Sequence, residues 1–338
     1  MEKNALIKKI QNSIDKELRR SLTERLINYP EELVSMFNYQ LGWDEEKNLK
    51  KNQGKRIRPL IVALSCMACG GDWQVSLPSA AAVELVHNFS LIHDDIQDHS
   101  ETRRGKKTIW VKWGEAQAIN TGDAMLTLAH LTLMSTKNQI NDRKTLQCIN
   151  LLQNACLQLT KGQYLDIAYE KKSILGIEDY WEMVKGKTAS LLSACFGFGA
   201  ILSDSDQETI NKLMDFGNIV GLAFQVQDDW LGIWGDIERI GKSVDSDLIN
   251  RKKTYPTLLG LQKQGEFALL WSENDIIDTI LANRMKEALT AEGVAVDTQK
   301  KFLQLYEEGF RLLDSIGLDK ERANPLIIVI KELLDRMK

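Results

Sequence analysis

The chain has 338 residues, of which 43% are hydrophobic and 27% charged, values that suit a soluble globular protein with room for a sizeable core. Forty-three basic against 47 acidic residues leave a net charge of −4 with no long run of either sign, which excludes a dedicated nucleic-acid surface as the expected role. The five cysteines are odd in number and read as reduced thiols; the Cys66–Cys69 CxxC lacks the second ligand pair of a zinc site, so they are expected to be small core residues.

The amino terminus, MEKNALIKKIQNSIDKELRRSL, alternates charges with apolar residues at helical spacing and lacks the continuous apolar core of a signal peptide, so a cytoplasmic protein is expected. The five prolines stand at 30, 59, 78, 256 and 325, and no Ser/Gly-rich linker interrupts the chain. One domain over residues 1–338 is therefore the simpler reading. GKRIRP, Gly54 to Pro59, opens a helix that continues as LIVALSCMA; Lys55 and Arg58 are three apart on one face, and a helix N-terminus adds donors for an anion.

Val83, Val86, Phe89 and Ile92–His93 mark the next helix, which runs into LIHDDIQDHSETRRG. Asp94 and Asp98 are four apart and stack on one helical face, with Asp95 turned aside. Such hard oxygens favour Mg²⁺, whose shell is usually completed by substrate phosphates. Arg103, Arg104, Lys106 and Lys107 follow directly, and arginine forks bind diphosphate oxygens bidentately.

Ile149, Leu152, Cys156, Leu159 and Gln163 mark a long helix. Lys185 and Lys187 in VKGKTASLL precede TASLLSACFGFGAIL, an apolar stretch of about 15 residues broken by glycines, which suits a buried core helix better than a membrane span. FQVQDDWLGIWGD then repeats the earlier order: an apolar helix, the carboxylates Asp228, Asp229 and Asp236, then the cations Lys242, Lys252 and Lys253. Packing the two acidic helices together would gather about six carboxylates, a charge density that bound cations would have to offset. Loops are expected at Gly70–Pro78, Ser100–Lys107, Asn138–Arg143, Leu202–Gln207, Gly235–Lys253 and Ser272–Asp275, and the remainder reads as roughly ten or more helices.

GKRIRP, DDIQD, RRG, GQYLD, GKT and FQVQDD with its continuation QDDWLGIWGD, in this order along the chain, resemble the trans-isoprenyl diphosphate synthase family, short-chain branch, over about residues 50 to 256. The resemblance implies an all-α fold, a single large helical bundle around a deep central cavity, usually a homodimer, with about three Mg²⁺ holding an allylic diphosphate. By the same resemblance Asp94, Asp98 and Asp228 are metal ligands. Arg103, Lys187 and Lys242 bind the allylic diphosphate, with Thr188, Gln225 and Lys252 nearby. Lys55, Arg58, His87 and Arg104 bind the diphosphate of isopentenyl diphosphate. His87 lies seven residues before Asp94, two turns below it on nearly the same face.

The pattern is broken in two places: Gly232 stands where many members have a third aspartate, and Asp245 where related sequences commonly have glycine. The next acid after Gly232 is Asp236. The implied reaction is sequential head-to-tail prenyl transfer. The metal ions and cations stabilise the departing diphosphate, the double bond of isopentenyl diphosphate attacks the allylic cation, and the diphosphate takes the proton.

Phe89 matches the aromatic floor of short-product members, although an ideal wheel puts Ser90 beneath Asp94. An aromatic at Phe89 without one at Ser90 looks most like geranylgeranyl (C20) synthases, with farnesyl (C15) second. A class I terpene cyclase would share the fold but would carry an Asn, Ser/Thr and Glu metal triad in place of FQVQDD, and a silent partner subunit would have lost its aspartates or cations.

Overall fold

A computed structural model describes residues 2–43, 56–170, 172, 174–235 and 246–335. In chain order the α-helices are α1 (Glu2–Arg25), α2 (Glu31–Leu41), α3 (Ile57–Ala68), α4 (Leu77–Gln97), α5 (Ile109–Trp113), α6 (Glu115–Met134), α7 (Asp142–Glu170), α8 (Ile177–Val184), α9 (Ser190–Leu202), α10 (Gln207–Trp234), α11 (Ser246–Ile249), α12 (Tyr255–Lys263), α13 (Glu266–Glu273), α14 (Thr279–Ala291), α15 (Val294–Ile316) and α16 (Lys320–Leu334). A π-helical turn, Lys185–Ala189, joins α8 to α9. The strands among the described residues are β1 (Thr102–Arg103) and β2 (Lys106–Lys107), an antiparallel pair. The fold is all-α, as the helical periodicity predicts.

The chain divides into two compact units. The first comprises Met1–Cys156, Ala194–Met214 and Gly317–Val329; the second comprises Leu157–Ser193, Asp215–Ile316 and Ile330–Lys338. In the first, α1 buries Ile10, Ile14, Leu18 and Leu22, a stripe at four-residue spacing that reads directly off the amphipathic amino terminus. α3 is buried nearly all round, and α4 buries Ala80 to Val86. Trp73–Gln97 is long and apolar enough to cross a membrane by length and composition, but 67% of its most apolar window is buried inside the protein, the signature of a core helix. The second unit has its own apolar cluster, in which Ile233 of α10 and Leu248 of α11 pack with Phe267, Leu270, Trp271 and Met285.

Several expected loops carry helical turns. α4 begins at Leu77 behind a short 3₁₀ turn, Trp73–Ser76, where the Asp72 carboxylate accepts from Gln74 N–H at 2.9 Å. α7 begins at Asp142, with an acid in its first turn, and α11 lies inside the expected loop at Gly235–Lys253. The Asp and Ser residues that signal turns also favour helix starts, which explains the overreach. The cysteines are thiols: burial pushes Cys66, Cys148 and Cys195 up to about 12 and Cys156 up to about 11, so little thiolate forms near neutrality.

Candidate active site

In the first unit the acidic end of α4 meets the β1–β2 hairpin. The two residues between the strands, Arg104 and Gly105, both have positive φ, 53° and 76°, the pattern of a type I′ turn. Glycine takes this backbone freely, whereas an arginine there costs about 1–2 kcal/mol. The tight turn brings Arg103 back onto α4, where its Nε donates to Asp95 Oδ1 at 2.7 Å and its Nη2 to Asp94 Oδ2 at 3.2 Å. Asp95 is therefore buried and paired, and burial, opposed by Arg103, still pushes its carboxyl up to about 6. Asp98 caps α4, its N–H bonded to Asp94 O at 2.9 Å, which preserves the one-turn spacing of the two carboxylates.

Two turns deeper along α4 lies an anion-seeking cluster. His87 Nε2 and Arg58 Nη1 are 3.4 Å apart. Burial holds the His87 imidazole well below its usual value, and the charges of Arg58, Arg104, Arg103 and Arg56 lower it further. Arg58 Nε is buried with no hydrogen-bond partner among the described residues, a costly state that an anion would relieve. Arg56, with a φ of 49° immediately before α3, is itself paired: its guanidinium is buried against Glu84 Oε1 at 2.6 Å and also donates to Leu41 O at 2.9 Å. Glu84 accepts a further bond from Asn88 Nδ2 at 2.9 Å.

His87 has a testable consequence. Because its folded-state value is depressed, the unfolded chain binds the extra proton first. Its contribution to stability is complete above about pH 6.5 and is lost as pH falls from there towards the depressed value. His87→Gln should flatten the fall in melting temperature between about pH 7 and pH 5; an unaltered slope would show that His87 is not the group titrating.

In the second unit the GQYLD and GKT motifs form a backbone crossing. A Cβ at Gly162 on α7 would collide with Lys187 N and lie 2.5 Å from Gly186 C, and one at Gly186 would lie 2.7 Å from Gln158 O. This contact fixes the π turn, from which Lys187 Nζ reaches Asp166 Oδ2 at 2.5 Å. The next residue, Thr188, donates to Gln225 Oε1 at 2.7 Å, and Gln225 Nε2 donates to Asp229 Oδ1 at 2.8 Å. Asp229 also accepts from Tyr180 OH at 2.7 Å and Tyr255 N–H at 2.9 Å. It is fully satisfied, although burial pushes its carboxyl up to about 7 against those donors. Asp228, its neighbour, is exposed. Lys252 is exposed too, whereas Lys253 Nζ closes the end of α7 through the carbonyls of Tyr169, at 2.6 Å, and Lys172.

A polyprenyl synthetase family model matches residues 46–291. The chain belongs to the polyprenyl synthetase family. Two relatives from Mycobacterium tuberculosis are equally similar. A (2E,6E)-farnesyl diphosphate synthase is 40% identical over 70% of this chain and 65% of its own, and a geranylgeranyl diphosphate synthase is 41% identical over 70% of this chain and 68% of its own. The chain thus spans just under two-thirds of the farnesyl enzyme's length. The crystal structure of the Corynebacterium glutamicum geranylgeranyl pyrophosphate synthase, complexed with isoprenyl diphosphate and magnesium, has a TM-score of 0.84 at 25% identity, covering 98% of each chain.

Within the family frame, Lys55, Lys242, Asp236 and Asp245 lie outside the described residues. Among the described residues no group of three or more His, Cys, Asp or Glu side chains can hold a metal unaided. The donor set still fits Mg²⁺: oxygen-only carboxylates one turn apart leave coordination positions to water and phosphate, as that ion prefers. Sequence reasoning missed Glu84 and Asp166 and did not foresee the partners of Asp95 and Asp229; these four carboxylates hold the cations and Gln225 in place. A charged residue inside the apolar run AAAVELVHN was the available signal for Glu84.

Proposed function

We propose that this chain is a short-chain trans-prenyltransferase that condenses isopentenyl diphosphate with allylic diphosphates, head to tail, to geranylgeranyl diphosphate. The observation that carries this reading is the buried, unpartnered Arg58 Nε of α3 against a neutral His87 of α4, two turns below the Asp94/Asp98 pair: a cationic site where α3 meets α4 and a carboxylate pair at the end of α4. Two diphosphates need two such electrostatic settings, whereas a cyclase would need only one.

In this reading Arg58, His87 and Arg104, with Lys55, bind the diphosphate of isopentenyl diphosphate. Asp94 and Asp98 hold Mg²⁺, and Arg103, already a fork between Asp94 and Asp95, turns part of its donor set to the allylic diphosphate. Asp228 is a further metal ligand, and Lys187, Thr188, Gln225, Lys242 and Lys252 serve the allylic diphosphate. Bound Mg²⁺, about three ions by family analogy, would neutralise charge on the leaving diphosphate. His87 is neutral and can accept or donate one hydrogen bond without adding charge, and Tyr180, held protonated by burial, keeps Asp229 and hence Gln225 in register.

Product length is assigned to Phe89. Its ring stacks edge-on against His93, centroids 4.8 Å apart, and His93 in turn occupies the space a side chain at Gly122 of α6 would need. Ser90 Oγ donates to His87 O at 2.8 Å and adds no bulk. Phe89→Ala should shift products to longer chains by mass; an unchanged distribution removes Phe89 as the floor.

The enzyme is read as cytoplasmic and as a homodimer; the exposed Ile119, Leu131 and Met134 of α6 and Leu146 of α7 support the pairing of chains, with sedimentation at the two-chain mass as the check. The decisive experiment for the function is incubation of the purified chain with Mg²⁺, isopentenyl diphosphate and each allylic primer. Elongated diphosphates are expected, C20 over C15; hydrocarbon release or no consumption of isopentenyl diphosphate would overturn it.

A further inference from the structure

We propose that Asp247 of α11 supplies the carboxylate that the acidic end of α10 lacks at Gly232, facing the cation that Asp228 holds. The inference rests on the reading of Asp228 as a metal ligand given above. Gly232 is one helical turn beyond Asp228, so a carboxylate there would stack on the same face and reach the same ion. The position is a glycine, yet its space is taken: a Cβ at Gly232 would fall on Asp247 Oδ2 and lie 3.2 Å from Asp247 Cγ. The carboxylate of Asp247 thus stands where the first atoms of a residue-232 side chain would run.

Two further observations fix it there. Leu248, the next residue, is fully buried in the same apolar cluster as Ile233, the residue after Gly232, so α11 is pinned to this end of α10 by neighbouring side chains. Lys252 N–H closes on Asp247 O at 2.8 Å, ending the α11 turn and holding its direction. Glycine at 232 and aspartate at 247 are therefore one device: the missing side chain makes room for a carboxylate delivered from another element.

The test uses the full chain and titrates Mg²⁺ calorimetrically in the presence of inorganic pyrophosphate, alongside the Mg²⁺ dependence of elongation. Asp247→Asn should raise the Mg²⁺ concentration for half-saturation by about 10- to 100-fold in both readouts. The transplant Gly232→Asp/Asp247→Gly, which moves the carboxylate back to α10, should return it to within about threefold of the parent. A change in melting temperature with the Mg²⁺ titration unmoved would show a purely structural Asp247 and overturn the proposal. If Asp247→Asn does not fold, the transplant decides: parental Mg²⁺ affinity supports the proposal, and a weakened one overturns it. Asp228→Asn separates the two readings. If it weakens Mg²⁺ binding while Asp247→Asn does not, the Asp247 assignment alone fails; if neither changes it, the reading of Asp228 fails as well.

Discussion

Replacing Asp94 and Asp98 together by asparagine is expected to lower kcat/KM for elongation by about a thousandfold, or about 4 kcal/mol of transition-state stabilisation, with little change in melting temperature. The loss is large because the pair is read as the anchor of cations that neutralise a departing diphosphate, and a neutral amide is a poor ligand for a hard ion. The fold should tolerate the change. Asparagine keeps the shape, Arg103 retains its 2.7 Å bond to Asp95, and Asp95 is relieved of two repulsive neighbours that now push its carboxyl up. Steady-state rates over a range of Mg²⁺ concentrations provide the check; a loss below about tenfold would remove the pair from the metal site.

Glu84→Ala should produce the largest loss of stability, about 3–5 kcal/mol by chemical denaturation. Arg56 and Glu84 are each about 5% exposed at the side chain and 2.6 Å apart, so the alanine leaves a buried guanidinium with only Leu41 O and the more distant Asp15, at 3.3 Å. Arg56→Met/Glu84→Leu, which removes both charges, should recover most of that loss, because replacing a buried pair with apolar side chains is often close to neutral. A double variant as unstable as the single one would show that the carboxylate matters for its bond to Asn88 rather than for charge. Arg56 immediately precedes α3, two residues before Arg58, so substrate affinity should weaken with stability in the single variant.

Much of this organisation follows from local sequence. The four-residue stripe of Ile10, Ile14, Leu18 and Leu22, the wholly apolar α9 and the Asp94/Asp98 spacing each encode their structure within a turn or two of helix. What local reading misses is bonding between distant segments. Asp229 looks equivalent to Asp228 in the QDD doublet, yet a rotation of about 100° along the helix turns it inward. There it meets Tyr180 and Tyr255, 49 and 26 residues away. Asp95, read only as turned aside, is the main partner of Arg103, because an Arg-Gly type I′ turn folds the hairpin back and its two-residue strands are too short to leave an alternating pattern. The gap at Gly232 reads as a lost ligand in the sequence, and only the fold reveals that the Asp247 carboxylate lies against it.

The crossing of Gly162 and Gly186 also bears on how freely the protein can be altered. Main chain rests on main chain there, so the origin of Lys187 is set by peptide geometry and owes little to the size of any neighbouring side chain. Enlarging or carving the apolar residues nearby, as a designer of new chain lengths would, should leave that ammonium group at its post. The side chains around the crossing can therefore vary in size while that cation keeps its place, provided the two glycines are left alone.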